Sequence, residues 1–305
     1  MFKRAVITGA SGMIASALIK DLVSQGVEVS AVCRPDSTKR GNVLKSGLVK
    51  IYETDLSDLK SLFGKLAKSD VFYHFAWQSP FGEGRNDCDR QLENVRYTLD
   101  AVELAENAGC DVFIGAGSQA EYGRKNVKLN SFTITEPENA YGAAKLAAGH
   151  LSRVKAQNMG IKHIWTRILS VYGPNDNEYT ILQSGIRHFL KDKYAGFTKG
   201  EQQWDFLYCD DAAKAFRLIG EKGRDGAVYT VGSGEARKLS EYITIMRDSI
   251  DPSLPIGFGD IPYNEKQVMY LCADISELSE DTGFKPDVPF EDGIKRTIEW
   301  VRKKI

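Results

Sequence analysis

Short β-branched or aromatic runs alternate with longer amphipathic stretches through the first two-thirds of the chain. Ala5-Val-Ile-Thr8, Val27 to Cys33, Leu48 to Glu53, Val71 to Phe75, Val112 to Ile114 and His163 to Ile168 read as strands. Between them lie helical patterns: Gly12 to Val23, whose apolar positions recur every 3.6 residues, and stretches at about 57–67, 88–108 and 140–157. Such alternation predicts a doubly wound α/β fold, a parallel sheet covered by helices on both faces. After Tyr172-Gly-Pro174 the pattern breaks into shorter elements rich in Gly and Pro. Residues 1–174 therefore read as a sheet domain and 175–305 mainly as a smaller substrate-side subdomain, closing on a helix from Phe290 to Arg302. Asp210 to Leu218 reads as a helix that could return to the first domain, carrying about 205–220 with it. There is no internal repeat and no low-complexity linker.

Composition narrows the classes. The 305 residues are 42% hydrophobic, enough for a substantial core, and 40 Lys and Arg stand against 41 Asp and Glu for a net charge of -1. No basic footprint for nucleic acid and no polybasic membrane patch follows from that balance. The five cysteines (33, 88, 110, 209 and 272) are scattered without a Cys-x-x-Cys spacing and read as reduced thiols. Met1-Phe-Lys-Arg runs straight into a strand without a signal-peptide core, and no apolar run approaches the roughly 20 residues of a membrane helix. The expectation is a cytoplasmic protein. His74, His150, His163 and His188 lack close ligand spacing, so no metal site is expected.

Two stretches carry candidate chemistry. Thr8-Gly-Ala-Ser-Gly-Met-Ile-Ala15 sits where the first strand hands over to the first helix. Gly9 and Gly12 let the backbone turn tightly and approach a ligand, and the helix start beyond offers unpaired N–H groups and a positive dipole end for a pyrophosphate. The spacing is Gly-x-x-Gly-x-x-Ala rather than Gly-x-Gly-x-x-Gly, and a purely structural turn is the alternative. A dinucleotide site would also place a ribose-binding acid after the second strand. Cys33-Arg-Pro-Asp-Ser37 puts Arg34 there instead, which suits a 2′-phosphate and favours NADP over NAD. In the alternative, Arg34 is an exposed loop residue and Asp36 holds the ribose.

The second stretch, Glu138-Asn-Ala-Tyr-Gly-Ala-Ala-Lys145, places Tyr141 and Lys145 on one helical face, one turn apart. Of thirteen tyrosines only Tyr141 has a Lys four residues on. A neighbouring ammonium favours the phenolate, and lowering a phenol from its usual value near 10 to about 7 corresponds to roughly 4 kcal/mol. Tyr141 could then exchange a proton with a substrate hydroxyl. An ordinary amphipathic helix with an exposed Lys is the bland alternative.

Together these residues resemble the extended short-chain dehydrogenase/reductase family, in its nucleotide-sugar epimerase, dehydratase and reductase branch. The resemblance spans nearly the whole chain. It rests on the glycine turn, Asp55-Leu56, His74-Phe-Ala76, Ser118 with Tyr122-Gly123, Tyr141 with Lys145, and Arg167-x-x-x-x-Tyr-Gly-Pro174. It implies a Rossmann-like domain in which Thr8, Gly9, Ser11, Gly12, Met13, Ile14 and Arg34 surround the cofactor. It also implies that Asp55, beside Leu56, bonds the adenine, that Phe75 and Ala76 line the cofactor, and that Asn94 supports the site from a helix. Ser118 would bond the reacting sugar oxygen, Tyr141 would be the acid/base, and Lys145 would bind the nicotinamide ribose and tune Tyr141. Without the resemblance, Asp55 reads as a helix cap, Asn94 as a solvated residue and Ser118 as a polar strand end.

Three departures refine that picture. After Ser118, Gln119 and Ala120 stand where the 4,6-dehydratases carry an Asp-Glu pair, and Glu121 is one position late, on the opposite face of an extended segment. Elimination of water needs that pair, so dehydratase activity is not expected. Trp204 in Trp204-Asp205-Phe206 replaces an arginine that commonly contacts substrate phosphates, leaving Arg237 or Lys199 as substitutes. Ala15 replaces the last glycine of the turn.

The favoured function is hydride transfer at C4 of a nucleotide sugar, as NADPH-dependent reduction of a 4-keto sugar nucleotide. The alternatives are 4-epimerisation with retained NAD and, in another class, a non-catalytic dinucleotide-binding sensor. Trp77 in the loop Trp77-Gln-Ser-Pro-Phe81, with Gln119, Thr180, Gln183, Trp204 and Arg237, are candidate substrate contacts. The resemblance also implies a homodimer paired through the helices at about 88–108 and 140–157, where Ala144, Ala148 and Leu151 form an apolar stripe that could instead face the sheet.

Overall fold

Alternate residues of the predicted strands serve two different cores. In the computed structural model, which describes residues 2–305, β1 (Arg4–Thr8), β2 (Glu28–Cys33), β3 (Val49–Glu53), β4 (Val71–His74), β5 (Val112–Ser118) and β6 (Lys162–Ile168) pair in parallel. A seventh parallel strand, Val228–Val231, completes the sheet beside β6. From that edge the order is β6, β5, β4, β1, β2, β3. Ala5, Ile7, Val71 and Tyr73 face one way, packing with α1 (Met13–Ser24) and α5 (Cys209–Lys222). Val6, Phe72 and Phe113 face the other, against α2 (Cys88–Asn107) and the end of α3 (Ala140–Asn158). The result is a Rossmann-like, doubly wound sheet buried on both faces. Chain order reverses direction at β1, so β1 and β4 diverge in connectivity and leave a crevice at their carboxyl ends.

Two elements differ from the pattern-based expectation. The stretch at about 57–67 forms 3₁₀ turns over Leu56–Leu62 rather than an α-helix, because Asp58 breaks the ladder at φ -127° and ψ 29°. Strand β5 runs on to Ser118, well past Ile114, through Gly115 and Gly117. Those glycines hide the strand from a propensity reading but are required by its packing. A Cβ at Gly115 would lie 2.2 Å from the Trp165 ring, and one at Gly117 would lie 2.3 Å from the Thr166 carbonyl oxygen.

Beyond β6 the chain builds smaller sheets. Gln203–Trp204 pairs antiparallel with Arg237–Lys238 and parallel with Tyr270–Leu271. Ala195–Phe197 pairs with Ile256–Phe258, and Ser170–Tyr172 with Phe206–Tyr208. Around them pack α4 (Ile181–Lys191), α6 (Leu239–Asp248) and the helix Phe290–Arg302, joined by an aromatic knot of Tyr172, Phe206, Tyr242 and Phe290. Among the described residues no helix is long and apolar enough to cross a membrane.

Fully buried Asp205 ties these pieces to the main sheet. Its carboxylate accepts from the backbone N–H of Ser233 at 2.7 Å, Gly234 at 3.2 Å and Ala273 at 3.0 Å. Asp205→Ala strands all three donors and is expected to destabilise the protein by about 3 kcal/mol, read as a lower urea midpoint with an unchanged slope. A midpoint equal to wild type would show that the lobes do not depend on this clasp.

Candidate active site

Helix α3 begins against the turn that follows β5. Asn139 caps it, its side-chain oxygen accepting from Gly142 N–H at 2.8 Å. Gly142 presses so closely on that turn that a Cβ would lie 2.3 Å from the Ala120 carbonyl oxygen. The close approach sets Tyr141, the second residue of α3, beside Ser118 at the end of β5.

Residues 119–121 are not extended: they form a 3₁₀ turn. Glu121 therefore points inward and is fully buried. Its carboxylate accepts from Ser118 N–H at 2.8 Å, Trp165 Nε1 at 3.0 Å and Arg167 Nε at 2.8 Å, while the Ser118 hydroxyl accepts from Ala120 N–H at 3.2 Å. Arg167 also lies over the Tyr122 ring, 4.6 Å from its centroid. The one-residue offset seen in the sequence thus places Glu121 behind Ser118, not on the open face.

Lys145 is buried on the same helix as Tyr141. Its ammonium donates to the Ala116 carbonyl oxygen at 2.5 Å, sits 3.7 Å from the centroid of the Trp77 indole, and lies 5.8 Å from that of Tyr141. Burial pushes Lys145 down to about 7, opposed by the charge of Glu121. The Tyr141 phenol is pushed up by burial, and the Ser118 hydroxyl and Arg85 guanidinium pull it the other way. In this geometry the Lys145 ammonium is turned toward β5, and Arg85 is a second cation near the Tyr141 ring.

The crevice beside this pair is a cavity of about 370 Å³. Thr8, Gly9, Ser11, Arg34, Leu56, Ala76 and Trp77 line it. Gly9 has φ 69°, and a Cβ there would lie 2.8 Å from Ala76 N, so the two strand ends touch through glycine. Gly12 caps α1 with no side-chain hydrogen bond, which leaves the first N–H groups, at Met13 and Ile14, without a side-chain partner at the helix start beyond the glycine turn. Thr8 is occupied beneath, its hydroxyl 2.9 Å from His74 Nδ1. A dinucleotide fits this set of residues: a Cβ-free floor, an uncapped helix start and a cavity between two strand ends.

The remaining predicted residues are distributed around it. Arg34 is exposed at the cavity rim with no ion-pair partner among the described residues, and Ser11 and Ser37 share a hydrogen bond beside it at 3.1 Å. Asp55 does cap the following turn, accepting from Ser57 N–H at 3.1 Å, and also faces the Gln78 amide at 3.4 Å. Phe75 contributes backbone rather than its ring, which is turned away to pack edge-on against Phe216 at 4.7 Å. Asn94 is buried, not solvated, and exchanges hydrogen bonds with the Gln78 backbone at 2.8 and 3.0 Å. Trp77 meets Tyr141 edge-on at 6.0 Å and donates to Gln91 Oε1 at 2.8 Å.

On the other side, Gln119 is half-buried at the start of its turn. Thr180 donates to Asp176 at 2.9 Å, and Gln183 is buried on the Gly173 carbonyl at 3.0 Å. Trp204 donates to the Ser170 hydroxyl at 2.8 Å, and Arg237 pairs with Glu291 at 2.6 Å. The apolar stripe on α3 divides: Ala144 and Ala148 pack inward with Trp165, while Leu151 is exposed. Sequence reasoning missed Gln91 and Arg85. A second amide three residues before Asn94, on the same face of α2, was the available signal for Gln91; Arg85 lies in a loop without periodicity.

The family model described as NAD dependent epimerase/dehydratase family matches residues 5–232. A dTDP-D-glucose 4,6-dehydratase of Mus musculus is 27% identical over 330 residues, covering 99% of this chain and 89% of the relative. Among solved structures, a UDP-N-acetylglucosamine 4-epimerase from Methanobrevibacter ruminantium, in complex with UDP-N-acetylmuramic acid, superposes with a TM-score of 0.88 at 23% identity over 99% of both chains. A UDP-glucuronic acid 4-epimerase from Bacillus cereus in complex with NAD gives 0.86 at 24% identity, again over 99% of both chains.

The burial of Lys145 has a measurable sign. Its folded value of about 7 lies below the ordinary 10.5, so between those limits the unfolded chain binds the extra proton and stability rises with pH. Lys145→Met removes this dependence. Unfolding in urea is expected to show the variant gaining most over wild type below about pH 7, the gap narrowing toward pH 10.5. A gap constant across that range would mean Lys145 is not desolvated.

Proposed function

The chain belongs to the NAD dependent epimerase/dehydratase family, and from that premise we propose that it transfers hydride at C4 of a nucleotide sugar, as an NADPH-dependent reductase of 4-keto sugar nucleotides. The observation that carries the reading is the convergence of Ser118, Tyr141 and Lys145 beside the Gly9–Ala76 crevice. The unpaired N–H groups at the start of α1 would hold the pyrophosphate, Asp55 and Leu56 the adenine, and Lys145 the nicotinamide ribose. When bound, the nicotinamide supplies or accepts the hydride. Ser118 and Tyr141 hydrogen-bond the sugar oxygen, and Tyr141 gives it a proton as the carbonyl becomes an alcohol. Trp77 and Gln119 border the sugar.

Reduction is preferred over epimerisation because Arg34 stands partnerless at the rim after β2, suited to a 2′-phosphate. A 4,6-dehydratase reading is disfavoured although dehydratases are among the relatives. Gln119 and Ala120 are not acids, and Glu121 is consumed by Ser118, Trp165 and Arg167. Epimerisation with retained NAD is the second reading, favoured by fold neighbours described as 4-epimerases. The residues from 175 onward form the substrate side, with Thr180, Trp204 and Arg237 as contacts. A homodimer through α2 and α3 is in keeping with exposed Leu92, Leu151 and Val154 on those helices.

Stoichiometric loss of NADPH with a 4-keto sugar nucleotide is the expected result. Turnover of a saturated sugar nucleotide without net cofactor change would transfer the assignment to epimerisation. Tyr141→Phe should lower the rate by roughly 10²–10⁴-fold in whichever assay reports activity, and full activity would remove it as acid/base. Arg34→Ala should raise KM for NADPH while leaving KM for NADH within about twofold, a difference of under roughly 0.5 kcal/mol. Equal effects on both cofactors would place the 2′-phosphate elsewhere.

A further inference from the structure

The loop joining β4 to α2, residues 78–86, is held in one shape by two buried amides. Gln91 donates to the carbonyls of Ser79 at 3.1 Å and Gly84 at 2.8 Å while accepting from Trp77, and Asn94 grips both backbone groups of Gln78. Ser79 sits at φ 52°, and a Cβ on Gly84 would lie 2.7 Å from that of Ser79. Backbone in so sparsely populated a region persists where its surroundings over-determine it, often at a functional site.

What this strap delivers is Arg85. Its guanidinium carbon lies 4.3 Å from the centroid of the Tyr141 ring, Nη1 is anchored on the Pro80 carbonyl at 2.8 Å, and no carboxylate pairs with it among the described residues. The other charged or titratable groups around the ring leave a role open for it. Lys145, from the same helix, is turned to Ala116 and Trp77. Glu121, behind Ser118, opposes phenolate formation and is paired with Arg167. His74 of β4, on the far side of Lys145, is kept neutral by burial, its value pushed down to about 3.

We propose that Arg85 is a positioning residue for Tyr141: stacked on the phenol ring, it fixes the ring's orientation and favours phenolate over phenol. The inference rests on reading Tyr141 as the acid/base. A cation on the ring face is attracted to the π system, and the attraction grows when the O–H bond breaks and its electron pair stays on the ring oxygen. The proton passes to solvent, or to the sugar oxygen during reduction.

The test titrates the phenol directly, by NMR of the full chain carrying isotope-labelled tyrosine, with Tyr141→Phe identifying its resonance. Arg85→Gln should raise the Tyr141 midpoint by on the order of one pH unit, and Arg85→Lys should restore at least half of that shift. An unchanged midpoint in Arg85→Gln, with the other tyrosine resonances native, overturns the proposal; so does failure of Lys to rescue, which would assign the effect to shape rather than charge. Should Arg85→Gln lose the native resonances, Arg85→Leu takes its place with the same two outcomes. Because no substrate is needed, a shifted midpoint alongside full activity in Tyr141→Phe would leave Arg85 tuning a phenol that is not the acid/base.

Discussion

A single buried carboxylate organises the carboxyl end of β5 and β6. Glu121 gathers the N–H of Ser118, the indole of Trp165 and the guanidinium of Arg167, and so joins the end of β5 to β6 through side chains as well as through the ladder. Burial pushes its carboxyl up, but three donors, one of them the Arg167 cation, hold it in place. Breaking such a pair by deleting one partner typically costs about 3–5 kcal/mol, because the other charge is left uncompensated. The turn it stabilises is the surface on which α3 starts, so the position of Tyr141 relative to Ser118 depends on a residue that faces away from the crevice.

That arrangement creates an electrostatic difficulty. Tyr141 and Lys145 are both desolvated, and burial favours the neutral form of each: phenol above its ordinary value, amine below. A tyrosine that must exchange protons near neutrality needs charge brought to it from outside its own helix. The strap over α2 supplies one cation from above, while Trp77 covers the Lys145 ammonium and keeps it off the Tyr141 ring. Gln91 and Asn94, one helical turn apart, serve the crevice indirectly by fixing the strap. Polar residues on the buried face of a helix are normally costly, and here every amide group has a backbone or side-chain partner.

How legible this was in the sequence varied with range. Strands, long helices and the glycine turn came from local pattern, because hydrophobic period and strand-turn-helix context are local properties. The Leu56–Leu62 turns defeated the pattern because the backbone at Asp58 leaves helical φ/ψ, a break that no local hydrophobic period reveals. The end of β5 was hidden by Gly115 and Gly117, whose purpose is visible only once Trp165 is seen lying across them. Glu121 falls on the face away from the crevice, as its one-residue offset implies, but it gets there through a 3₁₀ turn rather than an extended segment. Arg85 was not legible at all, since its role comes from a loop geometry fixed by residues on another element.

The C-terminal elements follow a different energetic logic from the sheet end at Ser118. Trp204 and Arg237 lie opposite each other in a short ladder, yet neither is idle: the indole bonds Ser170, and the guanidinium pairs with Glu291. The Arg237–Glu291 pair is 37% and 42% exposed, and pairs of that kind contribute about 0–1 kcal/mol. Exchanging Glu291 for an anionic group on a substrate would therefore cost little. The buried Glu121–Arg167 pair, 0% and 7% exposed, cannot be exchanged in this way. Rigid charges thus sit behind Ser118, and exchangeable ones sit where a nucleotide sugar is proposed to enter.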